Sequence, residues 1–240
     1  MHMQRDGSAA LFPEKDFRWR AGEITRLEAF CDVVFGFAIT LLVVSLEVPR
    51  TYAELMADMR GFLPFAICFA QLIQIWFTHY RFSRRYGLED TYTLILNVLL
   101  LFLVLFYVYP LKFLFTMLFA GLTHAEGLEP VGRHGASVLM RIYGLGFASV
   151  FGLFALMYRH AYSLRHALGL NEVEVYGTRI SFRENIGLMC IGLASFGVAF
   201  SNPALAGWLY ASIGLFSWIH GSITGGRKRR LAARTTSASK

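Results

Sequence analysis

The chain has 240 residues, of which 55% are hydrophobic and only 16% charged. Soluble domains carry about 25% charged residues, and the mean hydropathy of +0.48 excludes a soluble globule with a single core. The formal net charge of +7 lies at the ends of apolar runs, an arrangement expected of a polytopic helical membrane protein and not of a nucleic-acid-binding surface.

The first twenty-five residues are mixed and charged, around Pro13 and the stretch Lys15 to Arg20. They lack the apolar core and small-residue cleavage site of a signal peptide, so the first helix is expected to be an uncleaved start-transfer segment. That helix is predicted over about Leu27–Val48 and ends at Pro49, because proline disfavours helix in the residue before it. Asp32 is an acid within an apolar run long enough to cross a bilayer, which takes about 20 residues. An ionisable group at that depth needs protein or water as a partner.

A second helix is predicted over about Phe62–Phe82, carrying Gln71, Gln74, Trp76 and His79. The basic turn Arg81, Arg84, Arg85 precedes a third helix, about Tyr92–Leu118, interrupted by Pro110 and Lys112. A fourth is expected over about Val138–Met157, where Gly144, Gly146, Ala148 and Gly152 permit close helix approach. A polar connection, Arg159 to Arg183, leads to a fifth helix at about Ile186–Phe200. Ser201-Asn202-Pro203 then turns into a sixth, about Ala204–Ile219. The basic tail beyond it reads as disordered.

Lysine and arginine counts set the orientation. The amino-terminal tail, the Arg81–Arg85 turn, the Arg159–Arg183 connection and the final tail fall on the basic side. The expected fold is therefore all-α, with six transmembrane helices and both termini cytoplasmic. Residues 1–26 form a tail, 27–222 the membrane unit, and 223–240 a second tail.

With that topology, Asp32, Trp76, His79 and Asn97 fall at a similar depth, and Arg26 is a further partner for Asp32. A hydrogen-bonded lock between helices one, two and three is one reading, since unsatisfied polar groups in lipid cost several kcal/mol by rough estimate. An interfacial His79 with an incidental Asn97 is another, and a proton relay through Asp32 and His79 a third.

The residues Arg26, Phe30, Cys31 and Asp32, followed by VVFGFAITLLV, resemble the transmembrane protein 175 family of potassium channels. So do Trp76 and His79 at the end of helix two, and Asn97 and Pro110 in helix three. The resemblance covers roughly Arg26 to Pro110. It implies a homotetrameric, potassium-preferring channel in the cell membrane, with a central pore lined by helix one and no cofactor. Phe37, Leu41 and Val44, with Thr40 beside them, would form the pore lining, and Arg26, Phe30, Cys31 and Asp32 would pack helix one on helices two and three. Two positions depart from the family pattern. Cys31 replaces a serine, a stronger hydrogen-bonding group, and Phe37 is larger than the common isoleucine, so an occluded pore is the alternative. A proton-coupled transporter is a further one, although no internal repeat supports it.

The bland reading of Phe37, Leu41 and Val44 is a core or lipid-facing stripe. His124, Glu126, Glu129 and His134 have no tight metal-ligand spacing, and the three cysteines, Cys31, Cys68 and Cys190, read as packing residues. The basic run Arg227 to Arg230 is expected to meet anionic lipid and not nucleic acid. No nucleophile elbow, zinc helix or phosphate loop is present, so no catalytic residue is expected.

Overall fold

The computed structural model describes residues 17–22, 24–44, 50–52, 55, 56, 59, 62–123 and 132–213. The regular elements are helices: α1 (Arg26–Val44), α2 (Phe62–Tyr86), α3 (Thr91–Thr123), α4 (Arg133–Ser163), α5 (Glu172–Val198) and the short α6 (Pro203–Trp208), which a 3₁₀ turn, Leu209–Ala211, extends. Among the described residues, three stretches are long and apolar enough to cross a membrane: Phe62–Tyr86, Thr91–Met117 and Arg133–Ser163.

The helices reach further into polar sequence than expected. The basic turn Arg81–Arg85 is the last part of α2, which continues to Tyr86 because Phe82 and Tyr86 bury their rings in the core. Arg84 and Arg85 also suit the negative end of the helix dipole. Gly87 ends α2 at φ +57°, and a Cβ there would lie 3.3 Å from the backbone N of Ala21. Likewise the polar connection after α4 shrinks to residues 164–171. Asn171 starts α5 early through a capping box: its side chain accepts from the Glu174 N–H, and Glu174 accepts from the Asn171 N–H. Pro110 and Lys112 lie inside a continuous α3, a proline tolerance common where neighbouring helices surround the freed backbone. Asn202 caps α6 by accepting from Leu205 N at 3.1 Å, with Pro203 in the first helical turn. The predicted remainder of the sixth helix, the carboxyl tail, and the loop residues His124, Glu126 and Glu129 lie outside the described residues.

The helices pack in a chain of neighbours. α1 lies on α2 and α3, α3 on α4, α4 on α5, and α6 closes against α4 and α5. The closest approach is between α4 and α5. A Cβ on Gly144 would sit 2.9 Å from Phe196 N, and one on Gly192 would sit 2.9 Å from Ala148 N. Gly146 faces α3 instead, directly under the Tyr107 ring. These small residues let backbones meet where lipid supplies no hydrophobic drive to associate.

Candidate functional site

α1 carries two unlike faces. Cys31, Phe35, Ala38 and Leu42, at spacings of four, three and four, are fully or almost fully buried, one stripe of a helix. They turn toward α2 and α3, which supply Cys68, Leu72 and Leu100 to the same core. The other face holds Phe30, Val33 and Phe37, at 55%, 71% and 56% exposure. Thr40 is also exposed, its hydroxyl bonded back to the Gly36 carbonyl at 2.9 Å, while Leu41 is half-buried between the two faces. The Val44 side chain lies outside the described residues.

Polar groups fix the packed face. Trp76 Nε1 donates to Asp32 Oδ1 at 2.8 Å, joining α2 to α1. His79 and Asn97 are buried at 1% and 2% exposure, with His79 Nε2 2.7 Å from Asn97 Oδ1. Asn97 Nδ2 donates to the Thr93 carbonyl at 2.8 Å, so its oxygen must accept from histidine. That network assigns the proton to His79 Nε2 and leaves Nδ1 buried without a partner among the described residues. The Phe35 ring of α1 lies 5.7 Å from the imidazole. Asp32 and His79 thus bond to different partners, Trp76 and Asn97.

Arg26 and Phe30 depart from the expectation. Four residues apart, they share the outer face of α1 and are exposed. No ion pair joins Arg26 to Asp32 among the described residues. An acid with no apparent signal of its own in the apolar pattern, Glu28, does the anchoring instead. Glu28, 4% exposed, lies 3.8 Å from Arg84 of α2, and its backbone N–H bonds Thr25 Oγ1 at 3.1 Å. The pattern Thr25-x-x-Glu28 is a helix-start signature that marks this position.

The segment before α1 is tied down as well. Arg20 pairs with Glu174 at 2.6 Å and donates from Nε to the Leu168 carbonyl at 2.8 Å, while Arg18 N–H reaches Glu174 at 2.9 Å. Phe17 is buried, with the Arg85 guanidinium 4.9 Å from its ring centroid. Trp19 packs against Arg84, 5.4 Å from its ring. This strap links the entry of α1 to the end of α2 and to the α4–α5 connection. Burial pushes the Glu174 carboxyl up, but the Arg20 bond and the Asn171 and Arg18 N–H groups outweigh it and hold it below the ordinary 4.5.

Among the described residues no group of three His, Cys, Asp or Glu is placed to hold a metal, and His134 is exposed at the start of α4.

A bundle of membrane-length helices, with one helix bonded on one side and bare on the other, is the architecture of an integral membrane protein. The family model described as endosomal/lysosomal potassium channel TMEM175 matches residues 26–107, the span of α1, α2 and half of α3. A potassium channel of Marivirga tractuosa is 38% identical over 90% of this chain and 94% of its own length. The crystal structure of a variant of the potassium channel MtTMEM175, in complex with a nanobody fusion protein, superposes with a TM-score of 0.78 at 37% identity. That match covers 89% of this chain and 99% of the other. A channel homologue from Chamaesiphon minutus shares the fold at a TM-score of 0.56 and 23% identity, over 83% of this chain and 96% of its own. The chain belongs to the TMEM175 family of potassium channels, whose members are ion channels and not enzymes.

Proposed function

We propose that the protein is a potassium-preferring cation channel of the cell membrane, a homotetramer with a central pore lined by α1. Phe37, Leu41 and Val44 form its apolar constriction, with the polar Thr40 beside them in the lining and no carbonyl ligands. Each subunit, residues 27–222, crosses the membrane six times with both termini in the cytoplasm. The observation that carries the reading is the division of α1: one face is packed and hydrogen-bonded, and the other presents Phe37 at 56% exposure. Four such faces around an axis make stacked rings narrow enough to gate by dewetting. The Trp76–Asp32 bond holds α1 on α2, and the His79–Asn97 bond joins α2 to α3 beneath it, so that the bare face of α1 stays outward, and Arg26 and Phe30, exposed on the outer side of α1, meet a neighbouring subunit.

The size of Phe37 favours a second reading, a pore of the same construction occluded at the phenylalanine ring. Thiol blocking separates lining from non-lining positions. In a Cys190→Ser background, which removes the exposed native thiol, cysteine at Phe37 or Thr40 is expected to react with a charged methanethiosulfonate and block potassium current. Cysteine at the buried Leu42 is expected to stay unreactive. Block at Leu42 with none at Phe37 would reverse the assignment of the faces. Current only after Phe37→Ala would select the occluded pore.

A further inference from the structure

A groove of about 650 Å³ runs between α3, α4 and α5. Its walls are apolar, with Phe102 and Leu103 from α3, Ser149 and Gly152 from α4, and Ile186 and Met189 from α5. The volume is in the range of a small-molecule site, roughly 300–1,000 Å³. Along α4 it extends from Leu145 to Arg159, about 21 Å at 1.5 Å per residue. That exceeds one leaflet of a hydrocarbon core roughly 30 Å thick.

The groove ends in positive charge. Arg159 lines it, is exposed, and carries no hydrogen bond or ion pair among the described residues. On α5, Arg179 precedes Phe182 by three residues and Ile186 by seven, so it continues the groove-lining face past the mouth. It is held there by Tyr162, whose hydroxyl accepts from Arg179 Nε at 3.1 Å. Arg165 and Arg179 both lie against the Tyr162 ring, at 4.8 and 5.0 Å from its centroid. No carboxylate pairs with Arg159, Arg165 or Arg179 among the described residues, and the neighbouring acid Asp90 is taken by His160 at 2.9 Å and Thr93 at 2.7 Å. Arg159 at the end of an apolar trough, with Arg165 and Arg179 held on Tyr162 three residues further along α4, complements an anionic head on a long apolar tail.

We propose that this groove binds a membrane phospholipid with an anionic headgroup, its acyl chain between α3, α4 and α5 and its phosphate on Arg159. Arg179 and Arg165 supply the surrounding field, and guanidinium suits phosphate through its planar pair of donors. The site rests on α3 and α4 crossing the membrane and not on α1 forming the pore, so loss of lipid binding with intact current would leave the channel reading in place.

Native mass spectrometry of detergent-purified protein tests this, with dioleoyl phosphatidylglycerol and dioleoyl phosphatidylcholine added in equal amounts. The native protein is expected to retain phosphatidylglycerol preferentially. Arg159→Ala is expected to reduce that preference roughly fivefold, and Arg159→Lys to restore most of it, which separates charge loss from misfolding. Ser149→Phe, which fills the trough, is expected to reduce retention of both lipids, while Arg133→Ala at the far end of α4 changes neither. Equal retention of the two lipids by the native protein would overturn the proposal. So would an Arg159→Ala protein with unchanged preference, or a Ser149→Phe change confined to oligomeric mass, which would make a second copy the occupant.

Discussion

The Trp76 indole donates to the Asp32 carboxylate at 2.8 Å, and this bond ties the packed face of α1 to α2. Its geometry explains how an acid is kept within an apolar helix: one oxygen has a fixed donor, and the group is only partly buried. Trp76→Phe keeps an aromatic ring but removes the donor. It is expected to lower the thermal unfolding midpoint in detergent through loss of about 1 kcal/mol, with Asp32→Asn costing less because an acceptor remains. A Trp76→Phe protein as stable as the native one would show that the bond does not hold α1.

The His79–Asn97 pair couples α2 to α3 independently. A double-mutant cycle with His79→Leu and Asn97→Leu is expected to show a coupling of about 0.5–2 kcal/mol. Additive single effects would mean that each side chain acts through its own packing.

Backbone contact between α4 and α5 makes Gly192 intolerant of any side chain. Gly192→Leu is expected to abolish a monodisperse peak in size-exclusion chromatography, since its Cβ alone would lie 2.9 Å from Ala148 N and 3.0 Å from the Gly144 oxygen. Gly197→Ala on the same helix, with nothing within 4 Å of its Cβ, is expected to behave as native.

The strap before α1 is predicted to release in acid. The Glu174 carboxyl is held below 4.5 by Arg20 and two N–H groups. Its contribution is therefore complete above that value and is lost as pH falls through the lower, folded one. Trp19 lies in the strap, so its fluorescence is expected to shift below pH 4.5. Glu174→Gln is expected to flatten that step. An unchanged acid shift in Glu174→Gln would assign the release to another group.

Much of the first half of the molecule was legible in the sequence because its polar residues stand out against apolar runs. Counting residues places Asp32, Trp76, His79 and Asn97 at one depth, and the structure joins them in two bonds. Counting did not reveal that the bonds would be separate, because depth along a helix says little about rotation around it. Arg26 and Phe30 illustrate the same limit: the right depth, but the outer face. Glu28 does not stand out in the sequence because acids at helix starts usually serve as caps, and here the same residue also meets Arg84. The helix ends at Tyr86, Ser163 and Glu172 extend into charged sequence because membrane helices continue past the lipid wherever tertiary contacts cover them. Hydropathy does not register such contacts. The Arg20–Glu174 clamp joins positions more than 150 residues apart, beyond what local pattern reports.

The central claim is that the bare face of α1 forms the ion path. Potassium and sodium flux through purified protein in liposomes tests it, comparing the native chain with Phe37→Ala and, as a control on the opposite face, Ala38→Gly. The account predicts potassium-preferring flux in the native protein, higher flux with weaker preference in Phe37→Ala, and no change in preference in Ala38→Gly. Native flux left unaltered in rate and preference by Phe37→Ala would contradict it and place the path elsewhere in the bundle.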